Sequence, residues 1–127
     1  MRKAKFALVV DDSLVSRELV GRVLEKLGWT VSLVEDGYQA LILLQSRNYD
    51  IIFLDLSMPG ISGEETCKKI RALPHGRASK IIAYTAHAYA DDHPRLLAEG
   101  FDRILIKPVS VQAFADVIVD LDKSEQR

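Results

Sequence analysis

Short apolar runs alternate with stretches of helical period along the whole chain. The runs are Phe6-Ala7-Leu8-Val9-Val10, Thr30 to Val34, Ile51-Ile52-Phe53-Leu54, Ile81-Ile82-Ala83-Tyr84 and Ile104-Leu105-Ile106. Most are continuously apolar and rich in β-branched residues, which is the pattern of strands buried on both faces of a parallel sheet. Between them lie helical patterns. Ser13 is placed to cap a first helix whose core seam runs through Val20, Val23, Leu24 and Leu27, with Gly28 as its stop. Ala40, Leu41, Leu43 and Leu44 mark a second helix, closed off from the preceding strand by Asp36-Gly37. A third is expected from Ser62 or Gly63 to about Leu73, after the loop Met58-Pro59-Gly60 and before the turn Pro74-His75-Gly76. A fourth is expected from Asp91 to Glu99, with Pro94 in its first turn, and a fifth from Val111 to Leu121. Five consecutive βα units with short links predict an α/β fold. The sheet is a doubly wound, five-stranded parallel one with right-handed crossovers and helices on both faces. One domain is expected over residues 1–127, with its core at about 4–121.

Four of the strands run into residues that phosphoryl-transfer chemistry uses. Asp11-Asp12 follow the first, Asp55 the third, Thr85 the fourth and Lys107 the fifth. Ligands of open α/β sheets bind outside the carboxyl ends of the strands, so these groups should converge despite their separation in sequence. Two carboxylates about 4 Å apart repel by about 4 kcal/mol at an effective dielectric near 20. Such a cluster holds a proton or binds a cation. An all-oxygen donor set favours Mg²⁺, or Mn²⁺, over zinc. Lys107 would add a mobile positive charge for phosphoryl oxygens, and Thr85 a hydrogen-bond donor. A carboxylate can itself be the nucleophile and form an aspartyl phosphate. Spacing alone does not say which aspartate is phosphorylated. Nor does it separate this chemistry from that of a Mg²⁺-dependent hydrolase of small phosphoesters. Any one of these residues, taken singly, is equally an ordinary N-cap or turn former.

Composition narrows the partners. Of 127 residues, 48% are hydrophobic and 28% charged, as in ordinary globular domains. The formal net charge of -1 provides no footprint for nucleic acid. The single cysteine, Cys67, excludes an internal disulfide and reads as a small buried hydrophobe. The basic residues Arg2, Lys3 and Lys5 precede an apolar stretch too short for a signal peptide. No segment reaches the run of about 18 apolar residues that spans a membrane. A cytoplasmic protein without membrane contact is expected.

The chain resembles the receiver domains of two-component response regulators, the chemotaxis receiver among them. The resemblance is carried by Asp11-Asp12, by Asp55-Leu56-Ser57-Met58-Pro59-Gly60-Ile61-Ser62-Gly63, by Thr85-Ala86 and by Lys107-Pro108, each after its strand. It implies the flavodoxin-like strand order 2-1-3-4-5. It also implies that Asp55 accepts a phosphoryl group from a phosphohistidine of a histidine kinase or histidine phosphotransfer protein. Asp12, Asp55 and the Ser57 backbone carbonyl would ligate Mg²⁺, with Asp11 acting through a metal-bound water. Thr85 and Lys107 would hold the phosphoryl oxygens. The implied protein catalyses its own phosphorylation and dephosphorylation and turns over no separate metabolite.

One family feature is missing. An aromatic switch residue usually stands three positions before the lysine, where this chain has Ile104. Tyr84 is expected to pack in the core. His75 and His93 are expected at the surface, and His87 sits where the family varies residues that tune phosphoryl lifetime. The Thr85-Ala86-His87-Ala88 stretch is similar to receivers attached to hybrid kinases. A phosphohydrolase with an aspartate nucleophile would generally carry a second aspartate two residues later, where Ser57 stands. Acidic Asp11-Asp12 would repel the phosphate of a flavin, the third ligand this fold accommodates. Leu14 and Val15 lie off the first helix's seam and are expected to form an apolar patch for a phosphodonor helix. The last helix carries an apolar arc of roughly 200°, wider than one sheet can cover. It is expected to bind a downstream protein target or a second copy of the chain.

Overall fold

A computed structural model of the chain describes residues 5–86, 92–107 and 110–125. The elements are β1 (Phe6–Val10), α1 (Leu14–Lys26), β2 (Thr30–Val34), α2 (Gly37–Leu44), β3 (Ile51–Asp55), α3 (Gly63–Ala72), β4 (Lys80–Thr85), α4 (His93–Ala98), β5 (Arg103–Ile106) and α5 (Val111–Glu125). The strands form one parallel sheet in the order β2-β1-β3-β4-β5. This is the expected doubly wound, flavodoxin-like topology.

The period of two along each strand divides the core into two layers. Ala7 and Val9, Ile51 and Phe53, and Ile82 and Tyr84 pack with Val20, Val23 and Leu24 of α1 and with Phe114, Val117 and Ile118 of α5. The alternate residues Leu8 and Val10, Ile52 and Leu54, and Ile81 and Ala83 face the other side. There they meet Ala40 and Leu44 of α2, Cys67 and Ile70 of α3, and Leu96 of α4. On the first face Phe53 stands edge-on to Tyr84, 6.4 Å between centroids at 87°, and to Phe114, 5.2 Å at 67°. Such pairs add about 0.5–1.5 kcal/mol beyond the area they bury. Cys67 is fully buried in the second layer, and burial pushes its thiol up to about 11. It is the inert, packed cysteine expected.

The starts of α1, α2 and α3 are capped by the residues that precede them. Ser13, Asp36 and Ser62 accept from the backbone N–H groups of Ser16, Gln39 and Glu65. Several expectations are corrected. Leu27 is exposed rather than part of the seam, because it is already the C-cap of α1 and the chain leaves the helix through Gly28, whose φ is +94°. α5 runs to Glu125 rather than Leu121, since its last turn is polar but holds no breaker. α4 ends at Ala98, one residue before the expected Glu99, with Pro94 in its first turn; Asp91, its expected start, lies outside the described residues. His75 and His93 are half-buried, and no hydrogen-bond partner reaches the buried His75 Nδ1. No helix among the described residues is long and apolar enough to cross a membrane.

Candidate functional site

The carboxyl ends of β1, β3, β4 and β5 lie side by side in the sheet, and the predicted residues meet beyond them. Asp11, Asp12 and Asp55 each bring a carboxylate oxygen within 4.8 Å of the others. The Lys107 ammonium lies 3.3 Å from Asp11 Oδ2 and 3.4 Å from Asp55 Oδ2. Thr85 ends β4, buried, and accepts the Lys107 backbone N–H at 2.9 Å. With Ser57, Glu64, Arg95 and Leu96 it lines a cleft on the α3 and α4 side of the carboxylates. Arg95 closes the rim of that cleft through ion pairs to Glu64, Asp92 and Glu99. His87 and Pro108 lie outside the described residues.

Although Asp55 stands at the end of its strand, it is only 5% exposed. The chain folds over it. The Ser57 N–H donates to Asp55 Oδ1 at 3.1 Å, and Gly63 N–H donates to Leu56 O at 3.1 Å, drawing the start of α3 onto the end of β3. Only glycine fits there. A Cβ at Gly63 would stand 2.3 Å from Asp55 O and 2.7 Å from Leu56 Cα, both backbone atoms. Gly63→Ala is therefore expected to cost about 2–3 kcal/mol, read as a lower urea midpoint, because no side chain can yield to the added methyl.

Asp11 is fully buried and saturated with donors, whereas Asp12 faces solvent. The Ser13 N–H donates to Asp11 Oδ1 at 2.9 Å, and the Tyr84 hydroxyl donates to Asp11 Oδ2 at 2.5 Å. The Lys107 ammonium also lies 4.6 Å from the centre of the Tyr84 ring. Tyr84 is thus a core residue, as expected, and also a member of the site that the sequence reading missed. The signal was the period of two. Residues 11, 55, 84 and 107 all continue the strand positions that face α1 and α5.

The two buried carboxyls are driven apart. Burial pushes Asp55 up, offset only partly by the Lys107 charge and the Ser57 N–H, so its pKa stands above the usual carboxylate value. Burial also acts on Asp11. There it is outweighed by hydrogen bonds from Ser16, Tyr84 and Ser13 and by the Lys107 charge, which hold the carboxyl below its usual value. The cluster contains oxygen donors without cysteine or histidine, two of its three carboxylates are buried, and it opens to solvent through Asp12. That donor set fits a hard divalent cation.

The comparisons agree with this geometry. The response regulator receiver domain model matches residues 7–119. The sensor histidine kinase GacS of Pseudomonas protegens is 36% identical over 120 residues, which cover 92% of this chain and 13% of the kinase. The chain therefore spans a small part of the length of the curated relatives it matches. Among solved structures, the receiver domain of a sensor histidine kinase from Pseudomonas aeruginosa PAO1 is 32% identical. It covers 91% of this chain and 94% of its own at a TM-score of 0.82, with a magnesium ion coordinated in its active-site cleft. The response regulator TrrA of Thermotoga maritima, in complex with Mg²⁺ and BeF, is 34% identical and covers 92% and 98% of the two chains at a TM-score of 0.80. A buried carboxylate cluster, a strand-end threonine and a lysine, on a matching fold and family model, lead to one assignment: the chain belongs to the response-regulator receiver family of two-component signalling.

Proposed function

We propose that the chain is a phosphorylation-controlled receiver in which Asp55 accepts a phosphoryl group from a phosphohistidine of a histidine kinase or histidine phosphotransfer protein. The observation that carries this reading is the placing of Asp55 in reach of Lys107 at the end of the central strand β3, among three clustered carboxylates. An Asp55 oxygen forms the new O–P bond as the donor's N–P bond breaks, and the departing imidazole takes up a proton. Lys107, 23% exposed at its side chain, can turn from Asp55 Oδ2 to a phosphoryl oxygen attached there. Thr85, at the wall of the adjoining cleft, would bind another.

Asp12, Asp55 and the Ser57 carbonyl would hold Mg²⁺, or Mn²⁺ in its place, with Asp11 behind a bound water. The cation supplies neutralisation of the charge on the transferring phosphoryl oxygens. A one-domain receiver acting in the cytoplasm, as a separate protein or within a longer kinase, accords with this reading.

Beside the site, Leu14, Val15 and Leu19 of α1 are all exposed. They suit the apolar helix of a phosphohistidine donor. Val15→Asp is expected to slow transfer from a protein donor about tenfold while leaving labelling by a small phosphodonor unchanged. Stopped-flow transfer assays check both, and equal slowing would place Val15 in the chemistry instead. On α5, Val111 and Val119 are exposed while Phe114, Val117 and Ile118 are buried. This accords with output to a protein target or a second copy through that helix.

The function is tested by incubating the chain with a small phosphodonor and Mg²⁺, and separately with an aryl phosphate. The expected result is a stoichiometric, metal-dependent, acid-stable and base-labile gain of one phosphoryl group without turnover of the aryl phosphate. Catalytic release of aryl alcohol without a labelled protein would make the chain a phosphohydrolase.

A further inference from the structure

Tyr84 touches both members of the buried ion cluster that lie behind Asp55. Its hydroxyl is on Asp11 Oδ2, the same oxygen that Lys107 approaches at 3.3 Å, and its ring lies 4.6 Å from the Lys107 ammonium. The residue is 1% exposed and its ring stands edge-on against Phe53. The Tyr84 hydroxyl donates to Asp11, because a carboxylate oxygen can only accept. Lys107 stands almost equidistant from two carboxylates. Which of them holds it depends on how well each is satisfied by other donors. Asp55 has the Ser57 N–H, and Asp11 has Ser13, Ser16 and Tyr84.

We propose that Tyr84 is a positioning residue that divides Lys107 between the two buried carboxylates. By satisfying Asp11 it leaves the ammonium, held over its ring, available to Asp55 and to the phosphoryl oxygens Asp55 carries. The inference rests on the reading of Asp55 as acceptor. It has a second consequence. The hydroxyl points its positive end into the carboxylate cluster and so weakens the field that attracts a cation.

The two consequences have opposite signs in Tyr84→Phe, which keeps the ring, its contact with Phe53 and its place under Lys107. Without the hydroxyl, the Mg²⁺ dissociation constant measured by calorimetry is expected to fall about fivefold, since a hydrogen bond to a charged group is among the stronger ones. Lys107 is drawn to the under-satisfied Asp11, and labelling by a small phosphodonor at saturating Mg²⁺ is expected to slow about tenfold. Both effects should vanish when Tyr84→Phe is made in an Asp11→Asn background, because the hydroxyl acts through that carboxylate. Tighter metal with slower labelling, abolished by Asp11→Asn, supports the proposal. Parallel weakening of metal binding and labelling, no change in either, or the same split persisting with Asp11→Asn overturns it. If the unaltered chain takes no label at Asp55, the functional reading has failed. Calorimetry then decides Tyr84 alone: tighter Mg²⁺ binding in Tyr84→Phe upholds its coupling to Asp11, and unchanged or weaker binding refutes it.

Discussion

Asp55→Asn is expected to reduce phosphoryl labelling to background while leaving the fold intact. Asparagine has the shape of aspartate and keeps an oxygen for the Ser57 N–H. It lacks the anionic oxygen that would attack phosphorus. The charge it removes is a cost to the metal-free fold, because burial holds the Asp55 carboxyl above its usual pKa and Asp11 lies in the same cluster. The thermal midpoint should therefore match or exceed that of the unaltered chain. Circular dichroism and intact-mass measurement check the two halves of this expectation. A labelled Asp55→Asn protein would move the acceptor elsewhere, and an unfolded one would make Asp55 a structural residue.

Arg71→Met is expected to do the reverse, with a loss of about 3 kcal/mol in urea unfolding and continued labelling at Asp55. The Arg71 guanidinium ties together two loops at the amino ends of β4 and β5, the opposite end of the sheet from the carboxylates. It donates to Ser79 O at 2.6 Å, to Gly76 O and Arg77 O at 3.3 and 3.2 Å, and to Gly100 O at 2.6 Å. It also pairs with Asp102 at 2.8 Å. Methionine keeps the length of the side chain but leaves these carbonyls without their charged donor. Asp102, still bonded to the Ile81 N–H, loses its cation. A change in urea midpoint within error would show that water replaces the guanidinium at little cost.

Arg71 also marks the boundary of what the sequence could tell. The strands were legible because each is a short apolar run between turn residues, and the strand-end residues because four of them share one chemistry. Their meeting follows from the parallel topology alone. Arg71 carries no such sign. It looks like any charged residue in the last turn of a helix until residues 100 and 102 are brought beside it. The burial of Asp55 was hidden for a similar reason, since it depends on how the Ser57 turn and Gly63 fold back. Tyr84 was legible in principle. Its place in the run Ile81-Ile82-Ala83-Tyr84 shares the face of Phe53 and Val9, and therefore of Asp55 and Asp11. Reading it required the register between strands as well as their existence. At the helix ends apolar periodicity misled in both directions: it ran one residue too far at Leu27, which is already the cap of α1, and it stopped too early at Leu121, because the polar last turn of α5 holds no breaker.

The central claim is that Asp55 carries the phosphoryl group. Its most direct test is to treat the chain with a small phosphodonor and Mg²⁺, reduce the product with borohydride and map it by peptide mass spectrometry. Reduction converts an aspartyl phosphate to homoserine and leaves free aspartate unchanged. The account predicts homoserine at position 55, dependent on Mg²⁺ and absent from Asp55→Asn. Homoserine at position 11 or 12, or none at all under conditions that label a known receiver, would contradict it.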